Sequence, residues 1–216
     1  MTNSREERLK ALYTPVVADA LDAIGLRCQT MDPGMARIGT VKTMAGRAAT
    51  LDVKAVDTVP AEPYKVQFEA VDALEDGQVM VVAAPSQVAS AFWGELITTR
   101  AMKSGCVGTV VDGYCRDTPM VKEHDFGVWA RGMHPADSLG RLDAVAFNVP
   151  VRCAGVIVNP GDFVLADEDG VVIVPLVVID EVLARAEEKR CIENEVRGDL
   201  SAGNTIATTY ERFGVM

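Results

Sequence analysis

Residues 79–112 have the sequence VMVVAAPSQVASAFWGELITTRAMKSGCVGTVVD, and this stretch decides the fold. Residues 79–84 are a short apolar run of the kind that forms a buried strand. Residues 91–104 predict a helix that ends at Gly105, and residues 107–111 form a second apolar run. The order strand, helix, strand over this length is typical of two parallel strands joined by a crossover helix. We therefore predict an α/β fold.

Helices are predicted on the N-terminal side of this unit. Ser4 followed by Glu7 is a capping box, which marks the first turn of a helix. The pair Thr14-Pro15 predicts an N-cap and a second first turn, and Gly25 predicts a helix end. Residues 4–24 are therefore expected to form one or two helices.

Short strands and turns dominate the rest of the chain. Strands are predicted over residues 45–53, 128–130, 145–147, 156–158, 163–166 and 171–174, with a further helix over residues 62–73. An amphipathic helix is predicted over residues 178–197, ended by Gly198. With no linker or repeat in between, we expect a single domain covering residues 1–216, with N-terminal helices and a C-terminal amphipathic helix.

Composition excludes several classes of function. The chain has 216 residues and a formal net charge of −10, which argues against a nucleic-acid partner. No apolar run approaches the ~20 residues that cross a bilayer, so no membrane partner is expected. The first ten residues carry no signal-peptide core, and the five cysteines are odd in number and lack metal-type spacing. We expect a cytoplasmic protein whose Cys106 and Cys115 are buried free thiols.

Most catalytic motifs are absent from the sequence. It contains no Walker loop, GxGxxG, HExxH or GxSxG, and no early glycine-rich loop that would suit a methyltransferase. His124 and His134 are ten residues apart in loop-like sequence, which favours surface or capping roles over a zinc pair.

The strongest candidate site is Asp112-Gly-Tyr-Cys-Arg116-Asp117, which follows the predicted strand over residues 107–111. Ligands bind at the carboxyl ends of strands in open α/β sheets. Arg116 can clamp an anion and Asp117 can hold a hard cation, although a loop Arg–Asp pair is also common as a structural ion pair. Glu95 lies at a helix start, where it could serve a site or simply cap the helix.

These residues resemble a known family. The stretch Trp93-Gly-Glu-Leu-Ile, followed by Gly105-x-x-Gly-x-x-Val-Asp112-Gly-x-x-Arg116-Asp117, is similar to the RraA-like family. So are Trp129-Ala-Arg-Gly … Pro135 and Gly161-Asp-x-x-x-Ala-Asp-x-Asp-Gly-Val. The family includes class II pyruvate aldolases acting on 4-hydroxy-4-methyl-2-oxoglutarate and 4-carboxy-4-hydroxy-2-oxoadipate, and a regulator of RNase E without enzymatic activity. The resemblance covers most of residues 14–190 and implies a compact domain of the swivelling β/β/α type.

The resemblance also implies a reaction and a cofactor. The expected activity is cleavage of 4-hydroxy-2-oxo acids to pyruvate, with oxaloacetate decarboxylation, through a metal-stabilised pyruvate enolate. Asp117 corresponds to the direct ligand of a divalent cation, Mg²⁺ or Mn²⁺, and Arg116 to the residue that holds the ketone oxygen. Glu95 corresponds to an acid near the metal waters, and Asp112 to part of the loop that shapes the site. The small 2-oxo acid substrate would be bound by Arg116 and by Gly94, Glu95, Leu96 and Ile97, with the amides of Leu96 and Ile97 taking its carboxylate.

Two features modify this picture. The aldolases commonly show Arg-Asp-x-x-Glu/Asp, and Met120 stands at the last position here, so that Glu123 or Asp125 would have to replace the missing carboxylate. The resemblance further implies a homotrimer or homohexamer with sites near subunit interfaces, completed by a C-terminal acid such as Glu193 or Glu195. The alternatives are a non-catalytic regulatory or binding protein of the RNase E regulator type, and a related lyase with a different 2-oxo acid substrate.

Overall fold

The computed structural model describes residues 3–215, and it has mixed α/β architecture. The helices are α1 (Arg5–Lys10), α2 (Thr14–Ala23), α3 (Lys65–Asp72), α4 (Glu95–Lys103), α5 (Thr118–Val121), α6 (Ile179–Ser201) and α7 (Ile206–Phe213), with a 3₁₀ turn at Leu176–Val178. The strands are β1 (Ala36–Arg37), β2 (Met44–Ala55), β3 (Gln78–Ala83), β4 (Ala91–Trp93), β5 (Gly108–Cys115), β6 (Gly127–Met133), β7 (Leu142–Phe147), β8 (Val151–Cys153), β9 (Val156–Val158), β10 (Phe163–Ala166) and β11 (Val171–Val174). The predicted α/β class is confirmed.

One curled sheet of nine strands organises the domain, and its centre is parallel. Strands β6, β5, β3 and β2 lie side by side in that order and run in the same direction. The antiparallel strands β10 and β11 extend the sheet beyond β2, and β1 extends it beyond β6. Strand β4 pairs with the end of β5, β7 pairs with the end of β2, and β8 and β9 form a separate ribbon. The parallel pairing of β3 and β5 around α4 confirms the predicted crossover unit.

The core occupies both faces of this sheet. Strand β3 is buried along most of its length. Its alternate side chains face opposite sides of the sheet, and both sides are covered. Met80 and Val82 pack on the side of α3 and α4, whereas Val79 and Val81 pack on the side of β8 and β9. A third apolar cluster joins α1, α2 and α6 to β10 and β11. The sheet is therefore clamped between layers, which leaves the strand ends as the places where a ligand can reach polar groups.

The N-terminal helices form as predicted, with one correction. The Ser4 hydroxyl accepts the Glu7 N–H at 3.1 Å and the Glu7 carboxylate accepts the Ser4 N–H at 2.9 Å, which confirms the capping box. Thr14 is not an N-cap but the first helical residue of α2, because its N–H and its hydroxyl both donate to the buried Asp167 at 2.7 Å. Gly25 follows the helix with φ of +84°, as a C-terminal stop requires.

Two predicted boundaries around the crossover unit are wrong. Residues 91–93 form β4 rather than the start of a helix, because this fully buried apolar triplet pairs with the end of β5. Strand β5 does not stop at Asp112-Gly113 but continues to Cys115. Gly113 packs closely against Ala84, the residue that follows β3, and a Cβ at position 113 would lie 3.3 Å from the Ala84 Cβ. Close packing, rather than a turn, therefore explains the glycine at this position.

The C-terminal region is more helical than predicted. Gly198 lies inside α6, which ends at Ser201, and the helix stop is Gly203 with φ of +94°. The short helix α5 and strands β1 and β8 were not predicted, because each is too short to show a periodic pattern, and helix α7 was not predicted either. Within residues 3–215, none of the helices combines the length and the apolar character needed to cross a bilayer.

Candidate active site

The two sequence motifs meet where β5 ends and α4 begins. Strand β4 runs beside the end of β5 with Trp93 opposite Cys115, and the Arg116 N–H donates to the Trp93 carbonyl at 2.9 Å. Gly94, the N-cap of α4, therefore lies next to the pair Arg116-Asp117. Backbone hydrogen bonds, rather than flexible side chains, hold these two segments together.

The first turn of α4 presents unpaired amides. The Thr98 N–H is the first to bond within the helix, donating to the Gly94 carbonyl at 3.1 Å. Within the described chain, the N–H groups of Glu95, Leu96 and Ile97 have neither a side-chain cap nor a backbone acceptor. The Thr98 hydroxyl donates to the Gly94 carbonyl and accepts the Trp93 indole N–H, so the turn is rigid. Such a helix start can bind an anion.

Gly94 brings the backbone of α4 into close contact with the functional side chains. A Cβ at this position would lie 2.8 Å from Asp117 Oδ2 and 3.2 Å from Arg116 Cγ. Its φ of −157° is extended and open to any residue. The glycine is therefore required by the space that the Asp117 carboxylate occupies and not by backbone conformation.

Asp117 adopts a conformation that non-glycine residues seldom use. Its φ and ψ are 55° and 32°, in the left-handed region, and its carbonyl accepts the N–H groups of Met120 and Val121 at the start of α5. This conformation costs about 1 kcal/mol and is most accessible to Asp and Asn among residues with a side chain. The side chain is 38% exposed, so water and a ligand can reach the carboxylate.

Arg116 lies between two carboxylates without a tight bond to either. Its Nε is 3.5 Å from Asp117 Oδ2, and one terminal nitrogen is 3.3 Å from Asp137 Oδ1. Both distances exceed those of a short charge-assisted hydrogen bond. The guanidinium therefore keeps donors that a ligand can take.

Asp137 and Tyr64 form a hydrogen-bonded pair beside Arg116. The Tyr64 hydroxyl donates to Asp137 Oδ2 at 2.6 Å. Burial, together with this bond and the charge of Asp137, raises the pKa of Tyr64 to about 12. Burial alone would raise the pKa of Asp137, but the Tyr64 hydroxyl, backbone N–H groups and the Arg116 charge outweigh it and lower that pKa. The pair is therefore an anion with a neutral phenol at neutral pH.

These groups surround one cavity of about 360 Å³. Its apolar wall includes Phe68, Phe92, Trp93, Leu96 and Ile97. Its polar lining includes Tyr64, Gln67, Gly94, Arg116, Asp117 and Asp137. The structure thus brings the predicted residues Gly94, Leu96, Ile97, Arg116 and Asp117 to one cavity large enough for a small organic acid.

Tyr64, Gln67 and Asp137 also line the cavity and were not among the residues predicted from the sequence. Asp137 follows β6, which runs parallel to β5, so the rule that ligands bind past neighbouring strand ends could have found it. Tyr64 precedes α3 in an isolated left-handed conformation with φ of 64°, and no motif marks it.

Glu95 begins α4, but its side chain turns away from the cavity lining. Its Oε1 accepts the Thr99 hydroxyl at 2.7 Å and lies 3.5 Å from His124 Nε2. Met120 is exposed on α5, and Glu123 is exposed as well. Asp125 lines a separate pocket with Lys10, so it does not replace the carboxylate missing at Met120.

The expectation that Asp112 belongs to a loop shaping this site is wrong. Asp112 lies within β5, and its side chain points to the sheet face opposite the cavity. Its carboxylate accepts Arg131 Nε and the Ala154 N–H, each at 2.7 Å. The residue therefore ties β5 to β6 and to the turn after β8.

The cysteines and the C-terminal acids do not line this cavity. Cys106 and Cys115 are buried free thiols, as expected. Burial, aided by the charge of Asp117, raises the pKa of Cys115 to about 12, so this thiol beside the site stays protonated. Glu193 accepts the Tyr13 hydroxyl, whereas Glu195 is exposed.

A metal ion would find few ligands here from the chain itself. Among residues 3–215 there is no group of three or more His, Cys, Asp and Glu side chains arranged to hold an ion. Mg²⁺ is commonly held by one or two carboxylates, with waters and substrate oxygens completing its shell. The exposed Asp117 carboxylate, in the space that Gly94 leaves free, is compatible with that mode.

Comparison with protein families and curated proteins gives consistent matches. Residues 14–173 match a family described as RraA-like, aldolase/RraA. A protein of Halalkalibacterium halodurans named "Putative 4-hydroxy-4-methyl-2-oxoglutarate aldolase" is 29% identical over 200 residues, which is 93% of this chain and 90% of that protein. Protein DlpA of Legionella pneumophila is 26% identical over 206 residues, 91% of this chain, but this chain spans only 32% of DlpA.

Solved structures with the same fold include two from other bacteria. An uncharacterized protein from Pseudomonas syringae has a TM-score of 0.86 and 26% identity, covering 99% of this chain and 95% of that one. Streptomyces coelicolor RraAS2, described as an unusual member of the RNase ES inhibitor RraA protein family, has a TM-score of 0.80 and 26% identity, covering 91% and 97%.

Proposed function

The chain belongs to the RraA-like family, and from that premise we propose that it is a divalent-metal-dependent lyase that cleaves 4-hydroxy-2-oxo acids to pyruvate and also decarboxylates oxaloacetate. One observation carries the proposal: the free amides of α4, the Arg116 guanidinium and the Asp117 carboxylate all line a single cavity. Free amides, a guanidinium and an exposed carboxylate around one cavity are the groups that binding of a small organic acid with a metal ion would need.

The chain's own groups suit the two ends of a 2-oxo acid. The N–H groups of Leu96 and Ile97 would bind its carboxylate at the start of α4, where the helix dipole adds to the attraction. Arg116 would donate to the ketone oxygen. As the bond between C3 and C4 breaks, negative charge moves onto that oxygen, and a preoriented donor stabilises this charge more than it stabilises the ground state.

Asp117 is the residue we propose to hold the cation, Mg²⁺ or Mn²⁺. The bound ion would supply positive charge close to the developing enolate. We propose that Glu95 handles the proton of the 4-hydroxyl; its Oε1, which lies 3.5 Å from His124 Nε2 and faces away from the cavity lining, would turn toward the substrate. Asp112 has no part in this chemistry because its carboxylate is committed to Arg131 on the other face.

We further propose a cytoplasmic homotrimer or homohexamer with active sites near the subunit interfaces. Of the two candidate C-terminal acids, Glu195 is the better one to reach a neighbouring subunit. It is exposed and makes no ion pair within the described residues, whereas Glu193 is engaged by Tyr13 and lies 3.9 Å from Lys189. Sedimentation of the purified protein should show a trimer or hexamer, and a stable monomer at micromolar concentration would contradict shared sites.

The activity can be tested by pyruvate release from oxaloacetate. We expect turnover that EDTA removes, that Mg²⁺ or Mn²⁺ restores, and that oxalate inhibits, because planar oxalate resembles the pyruvate enolate. Free metal ions decarboxylate oxaloacetate slowly, so the matched control is Asp117→Asn at the same metal concentration. Asparagine tolerates the left-handed backbone, which separates loss of the carboxylate from loss of the turn.

The outcomes separate the candidate functions. Equal pyruvate release by the wild type and Asp117→Asn, or no effect of oxalate, would refute the enolate-stabilising site. A regulatory or binding function, for which RraAS2 is a structural relative, would then be the better account.

A further inference from the structure

Two neutral polar side chains in the cavity lining have hydrogen-bonding capacity that the chain itself does not use. Gln67 is only 4% exposed and Ser138 only 3%, and both line the cavity. Resting on the proposed function, we propose that these two residues, called here the neutral pair, bind the hydroxyl group of the substrate and so select 4-hydroxy-2-oxo acids from other 2-oxo acids.

The orientation of the Gln67 carboxamide is fixed by its partner. Its Nε2 donates to the Phe92 carbonyl at 3.1 Å, and because that carbonyl can only accept, Oε1 is the free atom of the amide. Within residues 3–215, Oε1 accepts no hydrogen bond. No fully buried side-chain nitrogen or oxygen in that range lacks a partner, so Oε1 reaches the open space of the cavity. Gln67 therefore offers an acceptor to a ligand.

The Ser138 hydroxyl is also free. It makes no hydrogen bond within the described chain, although the Ser138 carbonyl accepts the N–H groups of Arg141 and Leu142 at 2.8 Å and so fixes the backbone. A group that bridges the neutral pair must donate to Gln67 and can accept from Ser138. A hydroxyl does both, whereas a carboxylate cannot donate and an ammonium cannot accept.

Main-chain contacts to β4 place the neutral pair at a suitable distance from the start of α4. Gln67 is bonded to Phe92, and the Ala91 N–H donates at 2.9 Å to the carbonyl of Ala136, which is two residues before Ser138. Phe92 precedes the N-cap of α4 by two residues, a strand length of about 7 Å. In a 4-hydroxy-2-oxo acid, the 4-hydroxyl oxygen lies about 5 Å from the carboxylate carbon, and a hydrogen bond at each end adds about 3 Å. A carboxylate on the α4 amides therefore leaves the 4-hydroxyl within reach of Gln67.

Recognition of a hydroxyl excludes no carboxylate. Oxaloacetate has no hydroxyl at C4, but Ser138 can donate to its C4 carboxylate. Both residues of the neutral pair are more than nine-tenths buried within one chain, so a neighbouring subunit at the cavity mouth would add contacts without replacing them. During cleavage the hydroxyl turns its hydrogen from Gln67 toward Glu95, and Ser138 continues to donate to the C4 oxygen as it becomes a carbonyl.

A matched pair of compounds that cannot be cleaved tests the neutral pair. 2,4-Dihydroxybutanoate and 2-hydroxybutanoate differ only in the hydroxyl at C4, and neither has the C2 ketone that cleavage requires. In titration calorimetry with Mg²⁺ present, we expect 2,4-dihydroxybutanoate to bind the wild type at least ~10-fold more tightly, because the other compound leaves enclosed polar groups unpaired. If 2,4-dihydroxybutanoate binds no more tightly, or does not bind at all, the inference is overturned.

Variants assign the preference to the two residues. Ser138→Ala removes a hydroxyl that has no partner in the chain, so the fold does not depend on it, and Gln67→Met removes the acceptor at similar volume. Each should lower the ratio of the two affinities at least ~3-fold, the effect of one net hydrogen bond. Gln87→Met is the matched control and should keep the wild-type ratio, since Gln87 is exposed beside a separate pocket. A wild-type ratio in Ser138→Ala or in Gln67→Met would refute the role of the neutral pair.

Pyruvate release from oxaloacetate, measured on the same preparations, separates this proposal from the proposed function. If the wild type releases pyruvate but shows no preference for 2,4-dihydroxybutanoate, the neutral pair is wrongly assigned and the proposed function stands. If no substrate releases pyruvate, the proposed function fails and the neutral pair loses its role with it.

Discussion

Replacing Gly94 with alanine should impair activity without unfolding the protein. The new Cβ would lie 2.8 Å from Asp117 Oδ2, and ordinary contact begins at 3.4 Å, so the carboxylate has to move by about 0.6 Å. Displacing a positioned group by ~1 Å can cost ~100-fold in rate. We therefore expect kcat/KM for pyruvate release to fall between ~10-fold and ~100-fold.

Stability should change little in the same variant. A glycine with φ of −157° accepts alanine without backbone strain, and this replacement contributes about 0.4–1 kcal/mol by restricting the unfolded chain. Pushing the Asp117 or Arg116 side chain off its preferred rotamer costs about 0.5–1.5 kcal/mol. The two effects nearly cancel, so the free energy of unfolding measured in urea should stay within ~1 kcal/mol of the wild type.

Gly198→Ala is the matched control. Gly198 lies inside α6 with no atom within 4 Å of the added Cβ, so alanine should raise stability by ~1 kcal/mol through helix propensity and leave kcat/KM unchanged. Steady-state pyruvate release and urea unfolding on both variants complete the comparison. Wild-type kcat/KM in Gly94→Ala would refute the argument that Gly94 leaves space for the Asp117 carboxylate.

Three further outcomes follow from other contacts. Arg116→Lys should lower kcat/KM by ~100-fold at unchanged melting temperature, because an ammonium cannot reproduce the planar fork; near-normal rates would contradict its role. Asp167→Ala should lower the free energy of unfolding by about 3 kcal/mol in urea, since it leaves the buried Thr14 N–H and hydroxyl unpaired. Hydrogen bonding from Arg8 lowers the pKa of Glu187 below its ordinary value of 4.5, so the stabilisation is present above pH 4.5 and is lost as pH falls through the lowered pKa. The stability difference between the wild type and Glu187→Gln should accordingly vanish in acid, and a constant difference across pH would disprove the ion pair's contribution.

The fold could be predicted from the sequence wherever a pattern was long enough to be periodic. The crossover unit, the N-terminal helices and α6 each carry apolar spacing or capping signals that depend on near neighbours in the chain. The prediction for residues 91–93 was wrong because three apolar residues are too few to show a period. Their pairing partner in β5 also lies over 20 residues away. The predicted helix end at Gly198 was wrong for a related reason. A lone exposed glycine weakens a helix by only ~1 kcal/mol, and the tertiary packing of α6 overrides that cost.

The site was predictable only in part, for the same physical reason. Gly94, Arg116 and Asp117 are adjacent to element ends, so local sequence indicates their position. Tyr64 and Asp137 reach the cavity through contacts between residues more than 20 positions apart, so that only the strand-end rule points to Asp137 and no local pattern points to Tyr64. Asp112 was predicted to lie in the site and does not. The sequence Asp-Gly usually marks a turn, but here it continues strand β5, where the Asp112 carboxylate accepts Arg131 Nε.

The short pairing of β4 with β5 has an evolutionary consequence. Arg116 is held beside Trp93 by a main-chain hydrogen bond from the Arg116 N–H to the Trp93 carbonyl, which every residue at position 116 except proline can make. Another part of the cavity lining, Tyr64, Gln67 and Phe68, comes from α3 and the residue before it. Substitutions on α3 can therefore change one wall of the cavity while the strand pairing that holds Gly94 beside Arg116 and Asp117 is retained. A lineage built on this scaffold can thus change the shape of its cavity through one helix without altering the strands that carry Arg116 and Asp117.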